Sequence, residues 1–147
     1  MPLCRLICLL VVVACVGFAP APFPRREKRQ DDFQAIQGIW KVVVYESNGA
    51  PLTNNNLRVR IEGLNWHFYR ENNGQKTPSS TYALRLEPKA SPAAFDWSQP
   101  HNVQNPMYIG SYLLERKRLT IVFGNANQPR PTDFATRMGY RMVMERP

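Results

Sequence analysis

The two histidines of the chain, His67 and His101, are the side chains best suited to acid–base or metal chemistry, because an imidazole titrates near neutral pH and binds metal ions. Their separation fits neither the H-x-H nor the H-x-x-x-H spacing of a metal site, and a third ligand would still be needed. His67 alternates with Trp66 and Phe68, which predicts that its ring faces the other way. His101 lies in a segment rich in Pro, Asn and Gln, so we expect it in solvent.

Other signatures of catalysis are missing from the sequence. It contains no G-x-S-x-G motif, no H-E-x-x-H motif and no glycine-rich phosphate loop. The adjacent carboxylates Asp31 and Asp32 are expected to cap a helical turn. We therefore expect no catalytic residue, no metal and no cofactor, and a protein that is not an enzyme. The residue counts alone still allow a serine–histidine–aspartate arrangement, so a hydrolase is kept as a distant alternative.

The first 21 residues have the pattern of a secretory signal peptide. A basic side chain is followed by the unbroken apolar run Leu6–Val16, which is far shorter than the roughly 20 residues of a membrane-spanning helix. All three cysteines fall within residues 1–21, so the mature domain would contain no disulfide and no thiolate nucleophile. The sequence therefore predicts an exported protein, in the cell envelope or outside the cell.

Two routes of processing remain open. Val12–Cys15 resembles a bacterial lipobox, in which Cys15 would be the lipidated residue and the anchor to the membrane. Ala19–Ala21 has the small-x-small pattern of a cleavage site, although Pro22 follows it directly. A lipoprotein and a freely secreted protein are both consistent with these residues.

The excess of positive charge lies partly outside the folded domain. The chain has 19 Lys+Arg and 11 Asp+Glu, a formal net charge of +8. Residues 22–31 combine prolines with four basic side chains, a composition typical of an extended linker. Since the chain from Asp31 onward carries only half of the excess, we expect no nucleic-acid partner and contact with a membrane only through a lipid anchor.

Residues 32–147 form the predicted domain, and short segments of alternating apolar and polar side chains dominate it. One helical turn is predicted at Gln34–Ile36. The predicted strands are Gly38–Glu46, Leu57–Glu62, Leu64–Arg70, Thr81–Leu86, Pro92–Trp97, Tyr108–Leu114, Leu119–Phe123 and Tyr140–Arg146. Eight short strands without a long helix indicate an all-β antiparallel sandwich or barrel, and closure into a barrel would remove the sheet edges.

A set of motifs in this domain resembles the lipocalin-like domain family of small exported planctomycete proteins. The motifs, in chain order, are Gly38-x-Trp40, Pro92-x-x-Phe95-Asp96, Gly110-Ser111-Tyr112, Arg130-Pro131-x-x-Phe134 and the basic residue Arg146. Two segments depart from the family pattern: the turn at Glu115–Arg118 has no Gly or Asp, and Ile121-Val122 stands where a cysteine is common. The resemblance implies a small eight-stranded antiparallel barrel, and it brings no established activity.

The resemblance also implies structural roles for the signature residues. Trp40 would close one end of the barrel beneath a basic side chain of the last strand, either Arg146 or Arg141. Gly38 would let the backbone pass close to that end, where a side chain would clash. Asp96 and Arg130 are predicted to form a bidentate ion pair that ties the middle strand to the long loop containing Pro131 and Phe134.

Aromatic side chains are 11% of the residues, and many should line the barrel interior. The candidate lining residues are Trp66, Phe68, Tyr82 and Tyr112. They could surround a ligand cavity or fill a packed core, because a barrel of about eight strands has room for its side chains or for one small ligand.

Three functions follow from these alternatives. In the first, the loops Thr53–Asn56 and Gln99–Pro106 shape an open barrel end that binds a small apolar or amphipathic ligand. In the second, the barrel is full and its surface meets an envelope component, through the Arg58/Arg60 stripe or the Arg116–Arg118 turn. An exported hydrolase is the distant third.

Overall fold

A computed structural model describes residues 32–53, 56–135 and 138–147. The predicted signal peptide, with Cys15, and the predicted linker at 22–31 lie outside these residues. The elements are α1 (Asp32–Ala35), β1 (Gly38–Ser47), β2 (Ala50–Pro51), β3 (Leu57–Glu62), β4 (Asn65–Asn72), β5 (Gln75–Glu87), β6 (Ala94–Gln99), β7 (Asn102–Glu115), β8 (Arg118–Asn125) and β9 (Tyr140–Glu145). Within the described residues, no helix has the length and apolar character needed to cross a bilayer.

Eight of these strands close into an antiparallel barrel. The sheet runs in the order β1-β3-β4-β5-β6-β7-β8-β9, and β9 returns to pair with β1. The first half of β1 pairs with β3, from Gly38 opposite Ile61, and its second half pairs with β9, up to Ser47 opposite Tyr140. Each strand of the ring therefore has two partners, and the predicted eight-stranded barrel is confirmed. The short β2 adds to the end of β1.

The alternation that predicted the strands also separates the inside of the barrel from the outside. In β3, Val59 and Ile61 are buried while Arg60 and Glu62 are exposed. This two-residue period places one face of each strand in the core, and burial of those apolar side chains is the main force that holds the barrel closed.

Two strands are much longer than the sequence predicted. β5 begins at Gln75 instead of Thr81, and β7 begins at Asn102 instead of Tyr108. The added segments are mostly polar and mostly exposed, so alternation does not reveal them, yet their backbones still pair with the preceding strands. The prediction that Gln99–Pro106 is a loop is therefore wrong: most of it is strand. The helical turn likewise begins earlier than predicted, at Asp32.

A glycine in β7 makes room for the aromatic core. Gly110 points into the barrel, where a Cβ atom would lie 2.6 Å from the ring of Phe95 and even closer to the carbonyl oxygen of Val122. The missing side chain lets the buried Phe95 ring lie across β7, so aromatic packing continues from β6 to β8.

Candidate functional site

The two ends of the barrel differ, and the end near α1 is closed by Trp40. The indole is 0% exposed, and its Nε1 donates a hydrogen bond of 2.8 Å to the carbonyl of Ile36. The guanidinium carbon of Arg146 lies 4.4 Å from the ring centroid, and Nη2 of Arg146 donates to the carbonyls of Ala35 and Gln37. The indole therefore packs against the core on its inner side and against the guanidinium of Arg146 on its outer side.

The neighbouring residues account for the other predictions at this closed end. Gly38 has a φ of +106°, a backbone conformation that is strained for residues other than glycine. A Cβ atom at this position would lie 3.1 Å from Nη1 of Arg146. Arg141, the alternative partner for Trp40, instead forms an ion pair of 3.1 Å with Glu46 and donates to the carbonyl of Phe134.

Asp96 and Arg130 meet on the outer wall of the barrel. Nη2 of Arg130 lies 2.7 Å from Oδ1 of Asp96, while Nη1 donates to the carbonyls of Phe95 and Gly110 at 2.8 and 2.7 Å. The predicted bidentate geometry is wrong, because the second guanidinium nitrogen is already occupied by the two carbonyls. Ser111 adds a bond of 2.6 Å to the carbonyl of Pro131, so these contacts fasten the long loop to the wall.

A pocket of about 210 Å³, called the open-end pocket below, lies at the other end of the barrel. Buried rings form its inner part and half-buried tyrosines surround its opening. Its lining residues are Tyr45, Thr53, Leu57, Phe68, Arg70, Ser79, Ser80, Tyr82, Trp97, Tyr108, Phe123, Tyr140 and Met142. The pocket is therefore largely aromatic, with hydroxyl groups and one guanidinium among its polar members.

The aromatic rings around the open-end pocket pack against one another. Trp97 lies 4.9 Å from Phe123 and stacks on Tyr82 at 5.4 Å. Tyr140 stacks on Phe123 at 5.1 Å. Tyr108 contacts Tyr82 edge to face at 5.9 Å. Because aromatic rings in such arrangements stabilise each other, the pocket is already formed before any molecule enters it.

Two of the tyrosines at the opening, Tyr45 and Tyr108, have raised pKa values. Burial raises the pKa of Tyr45, and the neighbouring Tyr140, Tyr108 and Tyr82 raise it further. Burial likewise raises the pKa of Tyr108, with added effects from Tyr82 and Tyr140. Because both shifts disfavour the ionised form, the hydroxyls of Tyr45 and Tyr108 are hydrogen-bond donors at neutral pH.

Several polar groups of the open-end pocket have no protein partner in the described part of the chain. None of the hydroxyls of Tyr45, Tyr82, Tyr108 and Tyr140 is hydrogen-bonded there, in contrast to the hydroxyl of Tyr112 elsewhere in the barrel. Nε1 of Trp97 is also buried without a partner, as is Nε1 of Trp66 in the closed half of the barrel. The tyrosine hydroxyls can therefore donate hydrogen bonds to a ligand that enters the pocket.

Of the four predicted lining residues, Phe68 and Tyr82 line the open-end pocket. Trp66 and Tyr112 do not: they lie in the closed half, around a void of only about 10 Å³. The Tyr112 hydroxyl donates to Oδ2 of Asp32 at 2.9 Å, and burial together with this bond raises its pKa. The error arises because alternation predicts which side chains point inward but not how far along the barrel axis they lie.

Sequence reasoning missed other residues of the open-end pocket, above all Tyr45, Tyr140 and Arg70. Arg70 has the same parity as Trp66 and Phe68, so the alternation of β4 already implied that it faces inward. Tyr45 and Tyr140 come together only through pairing of the first and last strands of the ring, which no local pattern reveals.

The loops predicted to shape this end contribute less than expected. Thr53 lines the open-end pocket, whereas Asn54 and Asn55 lie outside the described residues. No residue of Gln99–Pro106 is among the described lining residues, because β7 carries most of that segment along the outer rim.

A larger groove, of about 520 Å³, lies outside the barrel between the long loop and the start of β9. Part of its polar lining is already engaged. Arg130 is bonded to Asp96 and to backbone carbonyls, and Asn48 and Gly139 bond each other at 2.7 and 2.9 Å. With these groups satisfied, the groove offers a ligand fewer free partners than the open-end pocket does.

Neither histidine lines the open-end pocket or the groove outside the barrel. Nδ1 of His67 is 3.0 Å from the hydroxyl of Thr81 on the outer surface, and His101 is exposed in the turn between β6 and β7. Within the described residues, no three His, Cys, Asp or Glu side chains are placed to share a metal ion.

The Arg58/Arg60 stripe is paired with acids, whereas only Arg118 of the Arg116–Arg118 turn forms a described ion pair. Arg58 lies 3.3 Å from Glu71, and Arg60 lies 2.7 Å from Glu62. In the turn between β7 and β8, Arg118 pairs with Glu145 at 2.7 Å. This pairing neutralises much of the charge that a surface partner would recognise.

A closed antiparallel barrel of eight strands, sealed at one end by a tryptophan beneath an arginine and open at the other, defines a lipocalin-like barrel. The sequence matches no known protein-family model, and no curated protein is significantly similar to it. The assignment to the lipocalin-like barrels therefore rests on the strand architecture and on the difference between the closed end and the open end.

Proposed function

We propose that this protein is a non-catalytic binding protein that holds a small apolar or amphipathic molecule in the open-end pocket. The observation that carries the proposal is the pocket itself, an aromatic cavity with unpartnered donors. Its inner rings, Phe68, Trp97 and Phe123, offer an apolar surface, and its tyrosine hydroxyls offer hydrogen bonds at the opening. Such a combination of apolar walls and a few polar groups is typical of small-molecule sites.

The volume sets the size of the ligand. An apolar cavity of about 150 Å³ holds one benzene ring, whereas drug-sized ligands occupy roughly 300–1,000 Å³. A pocket of about 210 Å³ therefore suits a single ring with one small substituent, or a short branched chain of similar size.

The setting of this function is part of the proposal. The signal-peptide pattern of residues 1–21 supports action outside the cytoplasm, with Cys15 as the residue to test for lipidation. An envelope component that meets the barrel surface is the alternative partner, and the ion pairs of Arg58 and Arg60 make it the weaker one.

Benzyl alcohol is a suitable first probe, because it joins one ring to one hydroxyl. We expect it to shift the indole N–H signal of Trp97 in a saturable way in a two-dimensional ¹H–¹⁵N NMR titration, while the signal of Trp40 at the closed end stays in place. Trp97→Phe assigns the signal. A titration to millimolar concentration without a saturable shift would contradict the proposal.

A cavity-filling substitution tests the location. Ser80 is half-buried in the pocket lining on β5, so the indole of Ser80→Trp should occupy the cavity and abolish benzyl alcohol binding. Thr81→Trp is the matched control, because it adds the same ring to the next residue, which is exposed on the outer face. Binding that survives in Ser80→Trp, or that is lost equally in both variants, would count against this pocket.

A further inference from the structure

Arg70 gives the open-end pocket a charge. It lies on β4 between Leu57 of β3 and Thr77 of β5, is exposed at the rim and belongs to the pocket lining. It is the one charged member of the lining that the structure describes, and none of the described lining residues is an acid.

Arg70 also differs from other arginines of the barrel. Those in described ion pairs with Asp or Glu are Arg58, Arg60, Arg85, Arg118, Arg130 and Arg141. Arg70 has neither an ion pair nor a side-chain hydrogen bond within the described residues. Its guanidinium therefore keeps five N–H donors available beside an aromatic cavity.

We infer that the open-end pocket selects a small carboxylate: a single apolar or aromatic ring within the barrel, with its carboxylate held at the rim by Arg70. The inference rests on the proposed function and adds the chemical class of the ligand. A planar guanidinium matches a carboxylate through two parallel hydrogen bonds, which makes this pairing stronger than a bond between neutral groups.

The other polar groups at the opening favour the same ligand. A carboxylate only accepts hydrogen bonds, and the hydroxyls of the pocket tyrosines and of Ser79 and Ser80 are able to donate. About half of the chain's net charge of +8 lies on the residues from Asp31 onward, and this positive charge also attracts anions.

Aromatic rings clustered in this way can also bind a quaternary ammonium group through cation–π contacts. The rim argues against a cation here, because Arg70 carries the same sign of charge and no described lining residue carries the opposite one. A cationic ligand is therefore an outcome that the experiment must be able to reveal.

Benzoate, benzamide and benzyltrimethylammonium form the test set, since the first two have nearly the same shape and differ in charge. We expect the intact protein to bind benzoate about 10-fold or more tightly than benzamide, measured by calorimetry and by the Trp97 indole signal. Arg70→Gln should remove this preference by weakening the binding of benzoate to about the level of benzamide. The preference should also shrink as salt is added, because the site is open to solvent.

Arg116→Gln is the matched control, because it removes the same charge from the turn at the opposite end of the barrel. It should keep the preference for benzoate. Equal binding of benzoate and benzamide, an unchanged preference in Arg70→Gln, or tightest binding of benzyltrimethylammonium would each overturn the carboxylate inference while leaving a ligand-binding pocket. Failure of all three probes to bind would overturn the proposed function as well.

Discussion

Replacing Trp40 with alanine should lower the free energy of unfolding by about 3–5 kcal/mol, a large share of the stability of a single domain. The indole is fully buried, so its removal leaves a cavity at the closed end that the surrounding barrel cannot fill. The carbonyl of Ile36 loses its donor, and Arg146 loses the ring beneath its guanidinium. Urea unfolding, followed by the fluorescence of the two remaining tryptophans, measures the change.

Leu64→Ala is the control for this prediction, because Leu64 lies in a turn at the same end of the barrel and is largely exposed. Its effect should stay within about 0.5 kcal/mol. A midpoint for Trp40→Ala that matches the unsubstituted protein would show that Trp40 does not hold the closed end together.

Replacing Arg130 with methionine should lower the free energy of unfolding by about 2–3 kcal/mol. This loss is smaller than the one expected for a fully buried ion pair, because the site is only partly covered. The side chains of Arg130 and Asp96 are 28% and 11% exposed. Methionine keeps much of the apolar stem, but it leaves the carboxylate and the carbonyls of Phe95 and Gly110 without their donor.

A double-mutant cycle separates the ion pair from the other bonds. With Asp96→Asn and Arg130→Met, we expect a coupling free energy of about 1 kcal/mol or more, whereas a value near zero would refute a direct interaction. Arg85→Met is the control, because the pair of Arg85 with Glu87 is exposed and should contribute less than about 1 kcal/mol.

Much of the fold could be predicted from the sequence, because alternation reports directly on burial. β3 has its predicted bounds, Leu57–Glu62, since each of its residues obeys the two-residue period. The polar first parts of β5 and β7 escaped prediction for the opposite reason: backbone pairing alone makes them strands, and their side chains carry no periodic signal.

The candidate site could be predicted only in part. Alternation correctly turned Phe68 and Tyr82 inward, but it could not separate their depth from that of Trp66 or Tyr112. Depth depends on the register between strands, and register is set by contacts between residues far apart in the chain. The family resemblance, export, lipidation and the absence of catalysis stay predictions from the sequence.

Closure of the ring through β1 and β9 has a consequence for the order of assembly. A chain emerging from the ribosome from its N terminus cannot seal this barrel until Tyr140–Glu145 is available, because β1 has no other neighbour for its second half except the two-residue β2. Until then both β1 and β8 carry an unsatisfied edge, and the segment that caps Trp40 has yet to arrive. Closure of the barrel is therefore a late step of folding. It depends on contacts between distant parts of the polypeptide, so we expect it to be slow compared with the folding of helical proteins.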